Sequence, residues 1–141
     1  MDIRPLTDSY AVSPQIASED MAAIAQAGFK TVICNRPDGE NPPELQQAPL
    51  RAAAEAAGLT FLVNPVVGGA ITMENVQGQA QALEGSTGPV LAYCASGNRS
   101  SIVWALSQAG KRPTDELIAL PARHGYTLEP FREMIDQLAK G

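Results

Sequence analysis

Four short apolar runs, separated by amphipathic segments, constrain this chain more than any other feature. They are YAVSPQI (10–16), KTVIC (30–34), TFLVNPVV (60–67) and GPVLAYC (88–94), and each reads as a strand. Helical spacing fills the intervals. Ser18 is expected to cap a first helix, with Glu19 and Asp20 at its positive end and Met21, Ile24 and Ala25 along one face, until Gly28 stops it. A second helix carries Leu50, Ala53, Ala54 and Ala57 and closes at Gly58; a third carries Met73, Val76, Ala80 and Leu83; a fourth carries Ile102, Ala105, Leu106 and Ala109. Two C-terminal pieces follow, 114–120 before Pro121 and about 129–139 with Phe131, Met134, Ile135 and Leu138. Alternation of this kind, with connections long enough for crossovers, predicts a three-layer α/β/α fold around a mostly parallel sheet of about four strands.

Ligands of such sheets bind beyond the carboxyl ends of the strands. Two turns stand out at that edge: NRPDGE after the second strand and CASGNRSS after the fourth. With 141 residues the expectation is a single domain over 1–141. A net charge of −5 argues against nucleic acid or an anionic membrane as partner. No apolar run is long enough to cross a bilayer, and MDIRPLTDSY has no apolar core of secretory type, so a cytoplasmic setting is expected. Two cysteines without zinc-type spacing and a single His suggest neither a disulfide framework nor a metal site.

Cys94 lies where a strand gives way to a helix. The backbone N–H groups of Ala95, Ser96, Gly97, Asn98 and Arg99 have no intrahelical partners there and point toward the sulfur. With the Arg99 guanidinium they favour a thiolate and form a cradle for an anion above it. Gly97 permits the turn, and Ser100 or Ser101 can set a hydroxyl near the sulfur. An activated nucleophile and an anion receptor therefore coincide. Cys34 has a plainer reading as a small core residue. If the second and fourth strands are neighbours, however, it ends beside Cys94 and is a candidate resolving thiol for an oxidised Cys94.

The segments VSPQI, AGFKTVICNRPDGE, AAGLTFLVNPV and GPVLAYCASGNRSS, in this order, resemble the bacterial beta-lactamase hydrolase-like, phosphatase-like domain family over roughly residues 10–110. That resemblance implies a fold similar to dual-specificity protein tyrosine phosphatases, with Cys94 as nucleophile, Arg99 binding the oxyanion and Ser100 helping to expel the thiolate. Two departures stand out. Phosphatases of that superfamily carry five residues between cysteine and arginine, whereas here there are four, Ala95 to Asn98, a loop very similar to that of single-domain rhodaneses. Nor is there any Asp between Asp38 and Asp115, where an acid for the leaving oxygen is usual and this chain reads VNPVVGGAIT.

The remaining acid candidates are Asp38 and, with less weight, Glu40; each also reads as ordinary turn chemistry. Arg36 is a candidate second anion contact. His124 reads as a cap or surface residue and Trp104 as packing. The expected activity is a cysteine-dependent, phosphatase-like hydrolase needing no cofactor or metal and acting on a small anionic substrate. The alternative is a rhodanese-type sulfurtransferase carrying a persulfide on Cys94, with a sulfane-sulfur donor as substrate. A non-catalytic anion-binding module is the weakest reading, since the thiol is present. The loops GENPPE and VVGGAIT should border the site.

Overall fold

The computed structural model describes residues 1–141. Five strands, β1 (Arg4–Pro5), β2 (Tyr10–Ser13), β3 (Thr31–Cys34), β4 (Thr60–Val63) and β5 (Val90–Tyr93), form one sheet in the order β1-β2-β5-β3-β4. Four of them run parallel, as the alternating pattern requires, and β1 adds an antiparallel edge to β2. That edge strand adds a fifth to the expected sheet of about four. It is two residues long and contains Pro5, so it leaves no periodic signal and is tolerated only at an edge. β4 is also shorter than expected: the Asn64 N–H still bonds the Cys34 carbonyl in the ladder's register, but beyond it the chain leaves the ladder and the Val66 N–H turns to the Asn35 carbonyl.

Six helices complete the fold: α1 (Met21–Gln26), α2 (Gln47–Ala56), α3 (Met73–Gly85), α4 (Asn98–Ser107), α5 (Thr114–Ala122) and α6 (Arg132–Lys140). Strict alternation in the strands sorts them into two layers. Ala11, Val32, Cys34, Leu91 and Tyr93 face one way, onto Met21 and Ile24 of α1 and Leu50 and Ala54 of α2. Tyr10, Val12, Ile33, Val90 and Ala92 face the other way, onto residues of α3 to α6 such as Val76, Ala105, Leu117 and Ile135. Trp104 packs as expected, fully buried and stacked on Tyr10 with ring centroids 5.7 Å apart.

Two helix ends differ from the sequence reading. The first helix opens through a short 3₁₀ turn whose flanking residue is Ala17, not Ser18, and the Asp20 carboxylate accepts the Ala17 N–H at 2.8 Å. α5 does not stop before Pro121 but includes it in its last turn. Proline lacks the N–H that would bond back along the helix, yet its fixed φ is helical, so the helix runs on for two residues, to Ala122. The parallel register sets Ser13, Cys34, Val63 and Tyr93 at one level. The loops 35–46, 64–72 and 94–97 therefore gather at one edge.

Candidate active site

β5 ends at Tyr93 and α4 begins at Asn98, which leaves Cys94–Gly97 as the turn between them. Cys94 is buried, and its Sγ accepts the Gly97 N–H at 3.1 Å. Gly97 adopts φ 93°, in the left-handed region, where a Cβ would also collide with the Tyr126 hydroxyl. The rest of the turn is held from outside. Tyr126 donates its hydroxyl to the Ser96 carbonyl at 2.7 Å and accepts from Arg4 Nη1 at 2.6 Å. Ser101 Oγ donates to the Gly97 carbonyl at 2.8 Å, and the Gln15 N–H bonds the Ala95 carbonyl. Tyr126 and Arg4 escape sequence reading because they come from opposite ends of the chain and carry no motif.

Arg99 leans across to the other loop. Nη1 donates to Glu40 Oε2 at 2.7 Å and to the Val66 carbonyl at 2.9 Å, while Nη2 donates to Glu40 Oε1 at 2.8 Å. A guanidinium has five N–H groups in a planar fork. The carboxylate takes the end of that fork and Val66 takes the outer N–H of Nη1, which leaves the Nε edge and one Nη2 N–H for another oxyanion. Glu40 therefore orients Arg99 without using up its donors. The same carboxylate accepts from Arg36 Nε at 3.1 Å, and both guanidinium groups, Arg99 first, hold the Glu40 carboxyl below its ordinary value. In return Glu40 raises Arg99, with burial opposing and the nearby Cys94 sulfur adding to the effect.

The two acid candidates have different partners. Asp38, the favoured one, accepts the Gln47 N–H at 2.8 Å and so serves the first turn of α2. Glu40 is the carboxylate that faces the cysteine loop, but as an ionised partner of arginine. Asp38→Ala is expected to destabilise the fold by about 1 kcal/mol through the lost cap while leaving kcat essentially unchanged, measurable by urea unfolding beside steady-state kinetics. Glu40→Gln is expected to lower kcat/KM about tenfold, because Arg99 loses one of its two fixed points; a rise instead would mean that the carboxylate competes with the substrate anion. A lowered carboxyl stays ionised through neutral pH and above. The orientation it gives is therefore lost only as pH falls below the ordinary carboxylate range.

Ser100, the thiolate partner that the resemblance implies, is fully buried, and its hydroxyl donates to Asn35 Oδ1 at 2.9 Å. Asn35 belongs to a buried polar cluster with Gln79, Asn64 and Tyr10. No sequence motif announced it, although a Gln three residues beyond Val76 on the apolar side of α3 is a usable signal. Arg36 is engaged by Glu40 and by Gln15 Oε1 at 3.2 Å. Cys34 ends the strand next to β5, as its redox reading requires, but its register partner is Tyr93 and the next residue, Cys94, follows the turn. Burial pushes the Cys34 thiol up, and it donates to the Arg36 carbonyl at 3.3 Å. His124 bonds the Pro5 carbonyl at 2.7 Å, a surface contact as expected.

Comparison with known proteins shows the family and the fold. The family described as "Beta-lactamase hydrolase-like protein, phosphatase-like domain" matches residues 2–111. The beta-lactamase hydrolase-like protein of Xylella fastidiosa (strain Temecula1) is 35% identical over 130 residues, which make up 91% of this chain but 30% of that relative's length. A Neisseria meningitidis protein assigned as a phosphatase superposes with a TM-score of 0.83 at 38% identity, covering 98% of this chain and 99% of the other. PTPMT1 in complex with PI(5)P shares the fold at 15% identity, with a TM-score of 0.79 and coverage of 98% and 94%. By this match over most of its length, the chain belongs to the beta-lactamase hydrolase-like, phosphatase-like domain family, with a protein tyrosine phosphatase-like fold.

Proposed function

We propose that the chain is a cysteine-dependent, phosphatase-like hydrolase whose substrates have leaving groups that depart without a proton donor. The observation that carries this reading is the pairing of the Gly97 N–H on Cys94 Sγ with an Arg99 whose Nε edge is left open by Glu40. Cys94 Sγ attacks phosphorus, forming an S–P bond as the P–O bond to the leaving group breaks. Arg99 and the loop amides stabilise the charge that develops on the equatorial oxygens. Water then attacks phosphorus, freeing phosphate and restoring the thiolate. With Asp38 turned to α2 and Glu40 ionised against two arginines, no carboxylic acid stands ready to protonate the departing oxygen. Aryl phosphomonoesters, which leave as stabilised phenolates, should therefore be turned over far faster than alkyl ones.

The four-residue loop favours a second reading, sulfur transfer. Here Cys94 attacks the outer sulfur of thiosulfate, an S–S bond forms as sulfite leaves, and an acceptor thiol takes the sulfur from the enzyme persulfide. That chemistry needs a smaller cradle and no acid. The two are separated by the intact mass of reduced protein after brief exposure to thiosulfate, beside hydrolysis of 4-nitrophenyl phosphate. A gain of one sulfur atom without phosphate release selects sulfur transfer; phosphate release without a mass gain selects the hydrolase.

A further inference from the structure

The peptide group between Ser96 and Gly97 is bonded at both ends. Its N–H donates to Cys94 Sγ at 3.1 Å, and its carbonyl accepts the Tyr126 hydroxyl at 2.7 Å. A trans peptide is one rigid plane whose C=O and N–H point in opposite directions. Holding the oxygen outward therefore aims the N–H at the sulfur. Glycine at 97 makes that hold necessary, because a residue at ease on both sides of φ lets the plane turn over and present its carbonyl to the sulfur instead. Behind the tyrosine stands Arg4. Its Nη1 donates to the same hydroxyl oxygen at 2.6 Å, its guanidinium lies 5.5 Å from the centre of the Tyr126 ring, and Asp2 accepts its Nε–H at 3.0 Å. A cationic donor on the phenol oxygen strengthens the bond that the phenol passes on. One line of hydrogen bonds thus joins the Arg4 guanidinium, the Tyr126 hydroxyl, the Ser96–Gly97 peptide and the Cys94 sulfur.

Resting on Cys94 as the reacting thiol, we infer that Tyr126, backed by Arg4, is a positioning residue that stabilises the Cys94 thiolate through the Ser96–Gly97 peptide. A donor to the charged form of a group favours that form, and a donor with a strengthened partner at its other end favours it more. The other groups near the sulfur act differently. Burial pushes up the Tyr10 hydroxyl on β2, the Cys34 thiol on β3 and the Tyr126 hydroxyl, the last with Arg4 opposing, so all three stay neutral at pH 7. Arg99 on α4 supplies a charge facing the sulfur, and Glu40 partly neutralises it. The line through Tyr126 shares no residue with that pair and reaches the sulfur by a separate route.

The test is the ultraviolet absorbance of the thiolate, titrated against pH in each protein with and without Cys94→Ser, so that the difference belongs to Cys94. Tyr126→Phe is expected to move the midpoint upward by about one pH unit, roughly tenfold less thiolate at a pH below it. Arg4→Met should move it the same way by less, and Arg4→Lys, which keeps a cationic donor, should restore most of that loss. A merely structural tyrosine would lower the urea midpoint of unfolding and leave the thiolate titration in place, which overturns the proposal. Should Tyr126→Phe not fold, Arg4→Met decides: an upward shift supports the line and an unmoved midpoint overturns it. If the wild-type midpoint is that of an ordinary cysteine, about 8.5, the activated nucleophile itself falls and the positioning role with it.

Discussion

Cys94→Ser is expected to lower turnover by about 10³-fold or more, whether the readout is phosphate release or sulfur uptake, with the unfolding transition nearly unmoved. A serine hydroxyl has almost the shape of the thiol but not its nucleophilicity at neutral pH, and loss of a nucleophile is among the largest single-residue effects on rate. Apart from the Gly97 N–H, which a serine hydroxyl can also accept, the remaining parts of the site do not depend on the sulfur. Gly97 is held by its own φ and by Ser101, and Arg99 by Glu40 and Val66. A variant that keeps turnover would remove Cys94 from the chemistry; one that unfolds would show instead that the buried thiol is needed for packing.

Gln79→Leu should have the largest effect on stability, about 3–5 kcal/mol by urea unfolding. The Gln79 side chain is fully buried at the centre of the polar cluster. Its Oε1 accepts from Asn35 and Asn64, each at 2.9 Å, and its Nε2 donates to the Tyr10 hydroxyl at 3.1 Å and to Asn35 Oδ1 at 3.2 Å. Leucine would strip one bond from Tyr10 on β2, two from Asn35 on the loop after β3 and one from Asn64 on the loop after β4, although each keeps another partner. Each lost bond costs about 0.5–1.5 kcal/mol, not additively, against a total stability of about 5–15 kcal/mol. Because Asn35 also accepts from Ser100 and Tyr10 donates to the Ser100 carbonyl at 2.8 Å, the first turn of α4 should loosen as well. A loss below about 1 kcal/mol would mean that water enters and replaces the amide.

The layers of the fold were legible because burial writes a period into the sequence. Parallel strands covered on both faces become continuous apolar runs, and helices packed on one side show three- and four-residue spacing, so four strands and the helical segments could be read before any contact was known. Where no burial period exists the reading stopped. β1 is too short to show one, and Pro121 sits in a last turn whose continuation depends on packing, not on propensity. The cysteine loop was legible for a different reason: a thiol, a left-handed glycine and an arginine at a helix start are local in sequence and tied to one another by backbone geometry.

What sequence could not decide was which side chain answers which across the edge of the sheet. Asp38 and Glu40 are two residues apart in one turn, and nothing in their order says that one serves α2 while the other reaches Arg99, 59 residues later. Tyr126 on Ser96 and Arg4 on Tyr126 are equally distant pairings, as is the meeting of Ile71 and Met134 beside Arg99. The sequence alone thus determined the nucleophile candidate, its anion-binding loop and the sheet that presents them, because each follows from neighbouring residues and their burial. Only the tertiary structure decided the orientation of the arginine, the occupation of the acids and the apolar ground beside the site, because those depend on long-range packing that leaves no local period.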